Sequence, residues 1–141
     1  MAHFARLDDG NRVIRVHCLD NKSMTDAEGN ESPQMGIDYL IELHGEGPWV
    51  QTSYNTRRGE HKLGGTPLRA NYCSRGWVYS EEHDIFHPPQ PYPSWTLDTV
   101  KGEWKPPVPR PEVEMDEDGR PLNFWMWNED SQQWDKINVT Q

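Results

Sequence analysis

The chain has 141 residues and a net charge of −9, and only 33% of its residues are hydrophobic, at a mean hydropathy of −0.99. That balance excludes a broad aliphatic core, and no stretch approaches the ~20 apolar residues that a membrane-crossing helix needs. Seven Trp, five Tyr and three Phe offset the shortage, because each buried ring removes about 150–250 Å² from water, so small aromatic clusters are expected to hold the fold.

Residues 3–16 read as a hairpin, with Asp8-Asp9-Gly10-Asn11 as its turn and Val13, Ile14, Arg15 and Val16 as the return strand. A polar turn region around Glu28-Gly29-Asn30 follows. Ser32 then has the chemistry of an N-cap and Pro33 that of a first helical residue, ahead of a stripe formed by Met35, Ile37, Leu40, Ile41 and His44 and ended by Gly45. Gly36 weakens such a helix by about 1 kcal/mol relative to Ala, so the helix is expected to depend on packing against a sheet. Trp49-Val50-Gln51-Thr52-Ser53-Tyr54 has strand composition.

Residues 55–71 are expected to form one long loop centred on Gly64-Gly65-Thr66-Pro67. Charge concentrates here: residues 55–76 carry +4, leaving −13 for the remainder. An acidic chain with one short basic segment lacks the broad cationic face of a general nucleic-acid binder. Arg57, Arg58, Lys62 and Arg69 are instead candidates for docking onto carboxylates, with the acidic residues 112–118 of a neighbouring copy as one target. A solvated loop is the competing reading.

From residue 73 the sequence repeats. Trp77, Trp95 and Trp125 are each followed nine residues later by a large aromatic, Phe86, Trp104 and Trp134, and three residues later by Ser80, Asp98 and Asn128. This predicts three hairpins in series. Nine of the twelve prolines lie between Pro88 and Pro121, so the links between hairpins should be extended and polyproline-like. The expected class is mainly β: an α+β module with one short helix over residues 1–72, then three proline-linked hairpins over residues 73–141.

Isolated hairpins are marginal in water and need a partner. Alternation puts Trp125 and Trp127 on one face, as a hairpin core requires, while Trp95, Trp104, Trp125, Trp127 and Trp134 also stand as interface candidates. Exposed rings stacking on sugars are the alternative use. Hairpins on stiff links of about 3.1 Å per residue reach far for their mass, so the N-terminal module could anchor while the hairpins span a neighbour.

Catalytic chemistry is not signalled. His83 and His87, with Asp84 between them, form the one close histidine pair, but they flank a turn instead of sharing a helical face. The acidic pairs Asp8-Asp9 and Glu81-Glu82 sit at turns, and no nucleophile elbow, phosphate loop or zinc-protease motif occurs. No catalytic, cofactor-binding or metal-binding residue is nominated, and no cofactor is expected. The chain lacks a leading segment with the zones of a signal peptide, so synthesis in a reducing cytosol is expected, with a Cys18–Cys73 disulfide left open.

Four blocks, Met1-Ala2-His3-Phe4-Ala5, Trp49-Val50-Gln51-Thr52-Ser53-Tyr54-Asn55, His61-Lys62-Leu63-Gly64-Gly65-Thr66-Pro67-Leu68-Arg69 and Pro88-Pro89-Gln90-Pro91-Tyr92-Pro93-Ser94-Trp95-Thr96-Leu97, resemble a family of small virion structural proteins. These belong to tailed phages of cyanobacteria and other aquatic bacteria. The resemblance spans residues 1–111 in order; Tyr72-Cys73-Ser74-Arg75-Gly76 and the Trp-rich tail from Phe124 depart from it. It implies a non-enzymatic protein present in many copies on the virion, assembled in the host bacterial cytoplasm, with other virion proteins and copies of itself as partners and neither membrane nor specific nucleic acid among them. A head decoration or cement protein is the expected role. The alternative is a tail or tail-fibre component, including a receptor-facing glycan-binding module.

Overall fold

In the computed structural model, which describes residues 1–139, β1 (Ala2–Leu7) is the central strand of an antiparallel sheet between β2 (Val13–Leu19) and β3 (Trp49–Thr52). Successive side chains on a strand point to opposite faces, and both faces of β1 are used. Ala2 and Phe4 join Leu19, Met24, Leu40 and Trp49 in one core cluster, with Ile37 and Ile41 packed against it. Ala5 and Leu7 join Val13, Cys73 and Phe86 in a second, with Val16, Val50, Trp77 and Tyr79 at its margin. Phe4 and Trp49 are the aromatic members of the first cluster and Phe86 that of the second; the other buried members are aliphatic or sulfur-bearing, so these two cores are less aromatic than the composition suggests.

The first cluster is closed by helix α1 (Pro33–His44), which forms where its capping residues place it. The Ser32 hydroxyl accepts from the Met35 amide, Pro33 occupies the first turn, and Gly45 ends the helix at φ 93°. Gly36 has a packing reason: a Cβ there would stand 2.8 Å from Phe4 Cζ and 3.0 Å from Met24 Cγ, both side chains fully enclosed. Gly36→Ala should therefore destabilise the protein by about 1–3 kcal/mol in denaturant melts, because overpacking outweighs the gain of about 1 kcal/mol in helix propensity. A stabilised variant would show that the helix can slide away from Phe4.

Two turn designs recur. At residues 8–12, 26–30 and 116–120 an Asp side chain accepts from the amides two and four positions on, while the residue three positions on, Asn11, Gly29 or Gly119, adopts positive φ. The short carboxylate replaces a backbone acceptor and so fixes the reversal locally. The tryptophan repeats use the other design. Ser80 Oγ accepts from the His83 amide, Asp98 Oδ1 from Val100 and Lys101, and Asn128 Oδ1 from Ser131, and four positions beyond each acceptor Asp84, Gly102 and Gln132 take positive φ. The polar residue three after each Trp is thus the turn's acceptor. All three expected hairpins form: β6 (Val78–Ser80) with β7 (Ile85–His87), β8 (Thr96–Asp98) with β9 (Glu103–Lys105), and β10 (Asn123–Asn128) with β11 (Gln133–Asn138).

The chain divides into two units, the first comprising Met1–Pro89 with Asp98–Glu103, the second Gln90–Leu97 with the chain from Trp104 onward. The expected boundary at residue 72 therefore falls inside the first unit. Its physical cause is the second face of the sheet, which residues 73–86 cover by inserting Cys73 and Phe86. Both cysteines are free thiols; Cys18 is exposed, and burial pushes the Cys73 thiol up to about 11.

Residues 55–71 depart from the single long loop that was expected. They contain a two-stranded ribbon, β4 (Thr56–Arg57) with β5 (Glu60–His61), tied down at several points. Buried Thr56 is the anchor: its hydroxyl accepts from the Leu68 amide and its carbonyl from the Tyr72 amide. His61 Nδ1 accepts from the amides of Leu63 and Gly65, which curls the glycine-rich stretch back on the ribbon.

Candidate functional site

The basic segment sorts its cations into two groups. Arg58 and Arg69 are engaged within the first unit. Arg58 Nε and Nη2 hold both oxygens of Glu103 at 2.7 and 3.1 Å, a two-point fork with its chain partner 45 residues away. That hydrogen bonding and the Glu103 charge raise the guanidinium further above its ordinary range. Arg69 donates from Nε to Asp84 at 2.8 Å and from Nη1 to the Gln51 carbonyl at 3.1 Å. Burial would lift the Asp84 carboxyl, but the hydroxyl of Tyr79 and Arg69 both donate to it and hold it below the usual carboxylate range.

Arg57 and Lys62 remain on the surface. They line an open cleft of about 550 Å³ with Arg58, Glu60, His61 and Lys101. Lys62 Nζ lies 4.4 Å from the centre of the Tyr54 ring, so its charge is held over an aromatic face instead of a carboxylate. The cleft can receive acidic groups, with Arg57, Lys62 and Lys101 as donors; Arg58 and Arg69 serve mainly to fix the ribbon that carries them.

One residue organises this region. Asn71 is buried; its side-chain amide donates to the carbonyls of Phe86, Lys101 and Gly102 at 2.9, 3.2 and 3.0 Å, and its Oδ1 accepts from the Arg58 amide at 2.9 Å. Gly102 makes the approach possible, since a Cβ there would lie 2.4 Å from Asn71 Nδ2 at a φ of 62°. Nothing in the sequence spacing marks Asn71, because its partners lie 13 to 31 residues away.

In the second unit, β10 and β11 present two unlike faces. Register pairs Trp127 with Trp134 and Trp125 with Lys136 on one face, and Phe124 with Ile137 and Met126 with Asp135 on the other. The first face is the unit's core. Trp95, Trp127 and Trp134 meet pairwise at ring separations of 5.9, 6.0 and 5.2 Å, mostly edge to face, and Tyr92 packs on Trp95 at 5.5 Å. Trp134 Nε1 donates to the Val108 carbonyl at 2.7 Å, and Trp125 Nε1 to that of Glu112 at 3.1 Å. Trp127 Nε1 donates to Glu129 at 2.7 Å, and Glu129 also accepts from the amide and hydroxyl of Ser94. The hydrogen bond from Trp127, with those from Ser94, holds the Glu129 carboxyl below its ordinary value against the opposing effect of burial.

Of the aromatic interface candidates, then, Trp127 is 8% exposed and joins Trp95 and Trp134 in the unit's own core, while Trp104 and Trp125 are half-buried. The opposite face is the open one. Phe124 is 47% and Met126 55% exposed, with Ile137, Leu122 and Val139 also accessible beside them. The tryptophan spacing dominates the sequence signal in this region. The signal for this face was the uninterrupted apolar run Phe124-Trp125-Met126-Trp127, which leaves neither side of the strand polar.

The histidines flanking Asp84 do not converge on it: His87 is buried with Nδ1 2.8 Å from the Pro88 carbonyl, and His83 lies beside Glu82. Among the described residues no group of three or more His, Cys, Asp or Glu side chains is arranged to hold a metal ion, and no helix is long and apolar enough to cross a membrane. No family model, no curated protein and no solved structure matches this chain.

Proposed function

We propose that the chain is a non-enzymatic structural protein of a phage virion, acting as a head decoration or cement protein through contacts with neighbouring virion subunits. The observation that carries this reading is the uncovered apolar face of β10 and β11, formed by Leu122, Phe124, Met126, Ile137 and Val139 on a hairpin whose other face already holds its own core. Contiguous apolar surface of this kind marks a surface that another protein covers. The open basic cleft adds charge complementarity toward acidic partner segments, including those of other copies of this net-acidic chain. The resemblance to small virion proteins supplies the setting.

The tail-borne, glycan-binding alternative requires indole faces free to stack on sugar rings. Trp95, Trp127 and Trp134 spend theirs on one another, which favours the contact role.

The test is a double variant, Phe124→Glu with Met126→Glu, supplied during particle assembly. Both side chains point to solvent, so the variant should keep the wild-type circular dichroism spectrum and unfolding midpoint. Its amount in purified particles, measured by quantitative gel, should fall about tenfold or more, as expected when charges enter the centre of a contact. Wild-type protein should be present in hundreds of copies per head, roughly matching one per capsid subunit or capsomer contact. Undiminished incorporation of the double variant would remove the apolar face from the contact, and a copy number in the tens would move the protein to the tail.

A further inference from the structure

A second basic site, lined by none of the residues of the ribbon cleft, lies on the first unit, and no local pattern in the sequence announces it. It begins with a register irregularity. Along the β1–β2 ladder Arg6 is paired with Arg15, but the next residue, Leu7, is paired with Val13, so Ile14 is an extra residue in β2. A bulge of this kind re-aims the side chains around it. Val13 is thereby returned to the second core cluster, while Arg15 comes directly opposite Arg6 on the face that carries Trp49, the face that α1 covers.

Two like charges directly opposite in a ladder repel. Neither is neutralised: among the described residues, Arg6, Arg15 and Arg75 form no ion pair with a carboxylate. Arg6 is nevertheless held in place, with Nη2 donating to the Glu46 carbonyl at 3.1 Å and its guanidinium 5.5 Å from the centre of the Trp49 ring. His17 on β2 and His44 at the end of α1 stand side by side, ring centres 4.5 Å apart, with Trp49 behind His17 at 5.2 Å. Arg75 arrives from a third segment, fixed by the amide of Gly76 donating to the Val13 carbonyl and the amide of Val13 donating to the Trp77 carbonyl. Arg6, Arg15, His17, His44 and Arg75, with Ile14, line a cleft of about 220 Å³ in which no acidic side chain takes part.

We infer that this cleft is a binding site for a tetrahedral oxyanion of the phosphate or sulfate type, either free or as the terminal group of an ester. Three guanidiniums and two imidazoles from four segments of chain supply converging donors. A carboxylate, with two oxygens, can satisfy fewer of them than a four-oxygen anion. The small volume suits one such group with a few waters and leaves no room for a peptide strand. The electrostatics agree: burial, and after it the neighbouring His44, Arg15 and Arg6, hold the His17 imidazole below its ordinary value, as a ring does in a cationic setting that lacks its counter-charge. The inference rests on the first unit alone and does not depend on the virion reading.

Inorganic sulfate is the probe for the full chain, because its charge is constant across the histidine range. Titration followed by proton–nitrogen correlation and histidine ring spectra should give saturable shifts at Arg15, His17, His44 and Arg75. Arg15→Gln and Arg75→Gln should each weaken binding about tenfold, the effect of losing one charge-assisted contact. Arg57→Gln, in the other basic cleft, should leave it unchanged. Affinity should rise as pH falls from about 8 to about 6, since a protonated His17 adds positive charge, and by reciprocity bound sulfate should raise the His17 pKa. Inorganic phosphate displacing sulfate while glycerol phosphate does not would mark a site for the free ion, and displacement by both a site that also takes an ester. Shifts that never saturate, binding unaffected by both Arg→Gln variants, or displacement of sulfate by an equal concentration of acetate would each overturn the proposal.

Discussion

Asn71→Ala is expected to destabilise the protein by about 3–5 kcal/mol, a large share of the 5–15 kcal/mol by which domains are usually stable. The side chain joins the ribbon at Arg58, strand β7 at Phe86 and the turn at Lys101 and Gly102. An amide carries two donor hydrogens, so the three carbonyls share them, and Ala would strand those carbonyls together with the Arg58 amide in a buried setting. Urea unfolding at neutral pH measures the loss; a change below about 1 kcal/mol would mean that water replaces the side chain without penalty.

Asn71→Asp sharpens the point because it preserves shape and changes only chemistry. An ionised carboxylate would turn an acceptor oxygen toward three carbonyl oxygens, so its pKa in the folded state should lie above the unfolded value of about 3.9. The sign follows from linkage. A raised acid is penalised in the folded state wherever it must ionise, so the variant should be least stable at neutral pH and recover as pH falls through the folded pKa, when the protonated acid can donate one of the lost bonds. A stability difference from wild type that stays constant between about pH 7 and pH 4 would contradict this arrangement.

Trp127→Ala is expected to cost about 3–5 kcal/mol, the range for truncating a buried large aromatic. The ring sits between Trp95 and Trp134, and its indole N–H holds Glu129, which in turn holds both the amide and the hydroxyl of Ser94. One substitution therefore removes one of three mutually contacting indoles and one of the two groups that anchor the Glu129 carboxylate. Amide resonances of residues 90–97 and 104–139 should collapse toward unfolded positions, while those of the first unit stay in place. Trp127→Phe, which keeps most of the ring but not the N–H, should lie between the two. A folded Trp127→Ala protein that had lost only affinity for a polysaccharide would instead support the sugar-stacking alternative.

How much of this could be read in advance depends on the range of the interaction. The helix from Pro33 to His44 and the three tryptophan hairpins are encoded by residues close together in the chain: Ser32 ahead of Pro33, Gly45 at the end, Ser80, Asp98 and Asn128 as turn acceptors. The order of residues 55–71 is not legible because it depends on bonds between residues far apart in sequence, from Thr56 to Leu68 within the segment and from Asn71 to partners as far as Gly102. The interface candidates divided for the same reason. Arg58 and Arg69 look like free cations in the sequence, but Glu103 and Asp84, 45 and 15 residues away, claim them in the fold.

The chain by itself determined a mainly β protein with small clusters in place of one broad core, because apolar residues are few and the local turn chemistry dictates where strands reverse. Tertiary structure decided which surfaces those strands leave open. Pairing Trp127 with Trp134 turns Phe124 and Met126 outward, and a single extra residue at Ile14 sets Arg15 against Arg6. Both outcomes depend on register between distant strands, and a one-residue shift in register exchanges the faces of a strand without altering anything in its sequence.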